Sequence, residues 1–103
     1  MLYIEIKLPT IKIVLTKSDV QNFCRYVINK FINGEINNLY DCGAVYSYNK
    51  LKGKINKNKT TLVLPLEYAM MLKTFCYNQQ TNHDLFRIAL YNMFEQLDKK
   101  MNS

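Results

Sequence analysis

The chain has 103 residues and a formal net charge of +6, with 49% apolar and 21% charged residues. That composition is globular, away from the weakly hydrophobic, highly charged class of disordered chains, and its length suits one hydrophobic core. It leads to the expectation of one α+β domain over residues 1–103, with a three- to four-stranded, mostly antiparallel sheet and three helices packed on one face.

No window approaches the roughly 18 apolar residues of a membrane span, so no membrane partner is expected. Glu5, Lys7 and Lys12 interrupt the apolar N-terminal stretch, which argues against a cleaved secretion signal. Cys24, Cys42 and Cys76 are odd in number and far apart, which suits neither a disulfide framework nor a zinc site, and a reducing interior is expected. The abundance of Lys, Asn, Ile and Tyr has the texture of small accessory proteins of bacteriophages and mobile elements. The expected location is the host cytoplasm or an assembled virion.

Charge is unevenly placed. Of 14 basic residues, five fall between Lys50 and Lys59, leaving nine against eight acids over the rest of the chain. Attraction to a polyanion is therefore local to that stretch.

In chain order, Leu2, Ile4, Ile6 and Leu8 alternate with polar positions, and Ile11, Ile13 and Leu15 resume the alternation in the opposite parity. This predicts one long strand bent at Pro9, since Pro9-Thr10 supplies poor residues for a tight hairpin. The following segment reads as a helix. Ser18 with Gln21 forms a capping box, Val20, Phe23, Cys24, Val27 and Phe31 recur at helical spacing, and Asn33-Gly34 is the stop. After a polar loop through Asn37, Asn38 and Asp41, the β-type residues from Ala44 to Ile55 and the run Thr60–Leu64 predict a hairpin, a basic tongue at about 46–60. Pro65 then opens a helix at its first-turn position, and Thr81 with Asp84 caps another. In that last helix Phe86, Leu90, Met93, Phe94, Leu97 and Met101 form an apolar stripe. KIVLTKSDVQNF and TLVLPLEYAMML both run from a strand into a helix, with too few identities to argue duplication.

Two surfaces are candidates for function. On an extended strand, Tyr46, Tyr48, Lys50, Lys52 and Lys54 would share one face, with Lys57 and Lys59 in a turn and the next strand, the turn falling either at Gly53 or at Asn56-Lys57-Asn58. Tyrosine can stack on bases while lysine neutralises phosphate, so a sequence-nonspecific nucleic-acid contact is one reading and a solvated tip is the other. The second surface is apolar. The helix after Pro65 is hydrophobic nearly all round, and Met70, Met71, Phe75, Tyr91 and Phe94 are the candidate contacts for a homo-oligomer or another protein.

Catalysis finds little support. Cys42 and His83 are the only conceivable nucleophile and base, and nothing in the sequence brings them together. Carboxylates are dispersed and the three glycines form no phosphate loop. The expectation is a non-enzymatic structural or protein-interaction module without metal, cofactor or small-molecule substrate, a phage accessory or virion component being one form. A nucleic-acid-binding accessory protein is the first alternative, and an inhibitor of a host defence enzyme is the second.

Overall fold

A computed structural model describes residues 9–36 and 41–102. Its elements are β1 (Thr10–Thr16), α1 (Lys17–Ile32), α2 (Asp41–Leu51), β2 (Lys59–Pro65), α3 (Leu66–Asn78) and α4 (Asp84–Met101). The class is α+β, as the alternation and helix signals predict, but the described residues hold two strands and four helices. The difference lies at 41–51, expected as strand and found as α2. There is no basic hairpin: β2 pairs with β1, not with the segment just before it.

β1 and β2 are antiparallel, with Thr10 opposite Pro65 and Thr16 opposite Lys59. The register puts Ile11, Ile13 and Leu15 beside Leu64, Leu62 and Thr60 on one face, which is buried except at half-buried Ile11. Lys12, Val14, Thr61 and Val63 face outward. Backbone bonds from Leu66 N to Pro9 O and from Lys17 N to Asn58 O extend the ladder at each end. The predicted strand before Pro9 lies outside the described residues.

The outer edge of β1 is closed by a side chain. Val14 N donates to Gln96 Oε1 at 2.8 Å, and Gln96 Nε2 donates to Val14 O at 2.7 Å. One α4 amide thus occupies both backbone groups that Val14 would offer to a further strand.

Each strand runs directly into a helix. At the first junction the cap is Thr16, not Ser18: Thr16 Oγ1 accepts from Asp19 N at 3.1 Å and Asp19 Oδ2 accepts from Thr16 N at 3.4 Å. The box sits two residues earlier than expected because β1 ends there, and Ser18 instead accepts from Asn22 Nδ2. α1 stops as predicted at Asn33, with Gly34 at φ +70°. At the second junction Pro65 is the N-cap of α3. At α4 the N-cap is His83, whose N–H donates to Thr81 Oγ1, while Asp84 pairs with Arg87.

α2 is set by close packing rather than by a hydrophobic stripe. Its buried residues are Asp41, Gly43, Ala44, Ser47 and Leu51, mostly small, at helical spacing. A Cβ at Gly43 would lie 2.5 Å from the backbone N of Leu72 and 2.8 Å from Met71 Cβ, so α2 meets the backbone of α3 there. Ser47, fully buried, donates to Gly43 O at 2.8 Å. The core gathers Ile13, Leu15, Phe23, Leu51, Leu64, Leu72, Phe75, Met93 and Leu97 between these helices and the inner face of the ribbon. In α4 the predicted stripe is inside at Phe86, Leu90, Met93 and Leu97, with Phe94 and Met101 half-buried. No helix among the described residues is long and apolar enough to cross a membrane.

Candidate interaction surfaces

The predicted tyrosine–lysine face is divided by the helix. Positions 46 and 48 are about 200° apart around α2. Tyr46 stacks on Tyr68 of α3 with centroids 4.2 Å apart, and Lys50 Nζ lies 5.6 Å from its ring centre. Tyr48 faces the other way, toward α1, where it lines a hollow with Ile28 and Lys52. Neither ring offers the open stack of bases imagined for an extended strand.

The lysines nonetheless stay together. Lys52, Lys54 and Lys57 belong to the connection between α2 and β2, and Lys59 opens β2. That connection is held by backbone bonds from Lys54 N to Leu51 O and from Lys57 N to Lys54 O, and by Gln21 Nε2 donating to Ile55 O at 2.9 Å. Lys17 joins them through the strand register, its N–H bonded to Asn58 O. Among the described residues none of these cations has an ion pair; the ion pairs found are Lys30–Glu35, Lys73–Asp98 and Arg87–Asp84. Lys17 could not be grouped with the loop from sequence, because only the pairing of two distant strands brings it there.

On the later helices the predicted contacts also separate. Phe75 is 2% exposed and belongs to the core, so it is not a surface contact. Met71 is half-buried beside Gly43. Met70 and Tyr91 are exposed, and Tyr77, not singled out as a contact from sequence, is the most open at 73%. Met70 and Tyr77 share a face of α3 at seven-residue spacing, which is the signal that identifies them. Tyr77 meets Phe94 across the helix pair at 5.7 Å, and Lys73 bridges to Asp98 at 2.9 Å one turn along. Tyr77, Tyr91, Phe94, Leu90 and Arg87 help line a cleft of about 680 Å³ at the α3–α4 end. Exposed Ile88 continues this surface along α4.

The cysteines divide by environment. Cys24 and Cys76 are buried, as their apolar helical positions predict, and Cys42 is exposed. Burial pushes the Cys24 thiol from its ordinary 9.0 to about 11, and pushes that of buried Cys76 further up. Cys42 lines a groove with Tyr46 and Tyr68, whereas His83 stacks on Phe86 at 4.1 Å at the head of α4. The two share no cavity among those found. Among the described residues no three His, Cys, Asp or Glu side chains gather as metal ligands.

Comparison with known protein families, curated proteins and solved structures finds no match. The functional reading rests on these surfaces.

Proposed function

We propose that the protein is a non-enzymatic interaction module that self-associates through the outer face of α3 and α4. The observation that carries this reading is the exposure of Met70, Tyr77, Ile88 and Tyr91, 52–73% open, on neighbouring helices around half-buried Phe94. Tyrosine and methionine are enriched in the centres of protein interfaces, where their large surfaces lose water at low conformational cost. The Lys73–Asp98 bridge lies within this patch, between Met70 and Tyr77, with Lys73 Nζ over the Phe94 ring. The same face would serve in a dimer or in a larger assembly such as a virion.

Light scattering over a concentration series tests it. Association is expected for the native chain and its loss for Tyr77→Asp/Tyr91→Asp, two exposed positions where the substitution leaves the core intact. A native chain that stays monomeric at about 200 μM, well above the micromolar dissociation constants of functional weak complexes, overturns the reading.

A second reading, nucleic-acid contact by the lysine loop, is supported by one observation: Lys52, Lys54, Lys57 and Lys59 fall on one short stretch to which the Lys17 backbone is bonded, with no ion pair to any of them among the described residues. Lysine without arginine in the loop suits phosphate neutralisation rather than base reading.

A further inference from the structure

A different apolar surface runs along the crease between α1 and α2. On α1, Ile28, Phe31 and Ile32 are 40%, 72% and 73% exposed, and Ile55 from the α2–β2 connection is 39% exposed. Two hollows of about 470 and 420 Å³ both include Ile28 and Tyr48, so they adjoin as one trough. Its floor is apolar, with Val27, Val45 and Tyr48 between the helix walls.

Charge marks one end. Among the described residues, the basic side chains lining the trough are Arg25 and Lys52, which share one hollow with Ile55, and no carboxylate lines either hollow. The nearest acid in sequence at the other end, Glu35, is bound to Lys30 at 3.0 Å. From Gln21 to Phe31 the α1 wall spans ten residue steps, about 15 Å or three helical turns.

We propose that this trough binds an amphipathic helix of another protein, about three turns long, with an apolar stripe on Ile28, Phe31, Tyr48 and Ile55 and acidic residues at the end that meets Arg25 and Lys52. The shape favours a helix over a bilayer, because a flat surface cannot reach a floor set between two helices. It favours a helix over nucleic acid, because the described residues of the Phe31–Val45 half of the trough offer no cation to a phosphate chain. A helix also satisfies its own backbone bonds, so an apolar trough leaves none of its amides orphaned. The surface is distinct from the α3–α4 face, and either can fail without the other.

The probe is a fluorescein-labelled peptide of about 14 residues, with leucines at i, i+3, i+4 and i+7 and glutamates in its terminal turn. Its anisotropy is followed on the full-length protein against a scrambled peptide and a lysine-ended one. Saturable binding below about 100 μM is expected for the acidic peptide. Binding is expected to weaken roughly tenfold for Arg25→Glu/Lys52→Glu and to recover on that variant with the lysine-ended peptide, a charge swap that a general loss of folding would not produce. Ile28→Asp should abolish binding of both peptides. The proposal is overturned by no binding, by equal binding of the scrambled peptide, by indifference to the charge swap, or by displacement of the peptide from the trough by vesicles of phosphatidylserine and phosphatidylcholine.

Discussion

Replacing Gly43 by alanine sets two ordinary effects against each other in one methyl group. In an exposed helix the change would stabilise by about 1 kcal/mol, because alanine loses less backbone entropy and glycine is a poor helix former. In this helix the new Cβ would sit 2.5 Å from Leu72 N and 2.9 Å from Met71 C, both backbone atoms that no rotamer change can move. Overpacking a core costs typically 1–3 kcal/mol, and the upper end applies where the obstacle is backbone, since α2 must lift off α3 or tilt. The net expectation is a loss of about 2 kcal/mol, lowering the melting temperature by roughly 8–15 °C for a chain of this size. Urea unfolding followed by far-ultraviolet circular dichroism measures it. Gly53→Ala is the control: a Cβ there meets nothing within 4 Å, so that variant should match or slightly exceed the native chain. A Gly43→Ala protein as stable as the native chain would refute the close crossing of α2 and α3.

Gln96→Ala should cost about 1 kcal/mol, as it removes two partly exposed hydrogen bonds, and should speed hydrogen exchange at the Val14 amide; unchanged Val14 protection would disprove the edge closure. With a thiol reagent near pH 8, Cys42 should react rapidly, while Cys24 and Cys76 should react only on unfolding; three equally fast thiols would contradict their burial. Because burial raises the Cys24 pKa from 9.0 to about 11, the neutral thiol's contribution is complete below about pH 9 and is lost between about 9 and 11, where the unfolded chain ionises first. Urea midpoints should therefore fall across that window, less steeply in Cys24→Ala, and parallel curves for the two proteins would reject the assignment. If the lysine loop binds duplex DNA with five phosphate contacts, the affinity should fall with a logarithmic salt slope of about −4 to −5. A slope near zero, or one unchanged by Lys54→Gln/Lys57→Gln, would remove that reading.

The helices that reveal themselves in sequence are those with an apolar period and a terminal signal. α1 carries Val20, Phe23, Cys24 and Val27 and stops at Asn33-Gly34, and α4 carries Phe86, Leu90, Met93 and Leu97. α2 hides because its buried face is Gly43, Ala44 and Ser47, residues without hydrophobic contrast, while Val45, Tyr46 and Tyr48 advertise a strand. Tertiary contact with α3 overrides that local preference. The sheet is hidden for the same reason, since a strand-like segment 44–55 is the natural sequence neighbour for β2, whereas its partner β1 lies across α1 and α2 in the chain. The candidate site fared likewise. Phe75 belongs to the inner phase of α3 with Ala69, Leu72 and Cys76, whereas Met70 and Tyr77 take the outer one; a helix hydrophobic on most sides conceals which side is which. The capping pattern is satisfied twice, at Thr16–Asp19 and at Ser18–Gln21, and the end of β1 decides between them.

The strand β1 has a consequence for synthesis on the ribosome. Its partner on one edge, β2, begins at Lys59, and Gln96, which covers the other, comes later still. A chain made from its N-terminus therefore reaches β1 more than 40 residues before β2 and about 80 before Gln96, so both described covers arrive late. Nascent or truncated chains that stop short of α4 would expose the Val14 edge to other copies, so misassembly during production should be governed by how soon the last helix emerges.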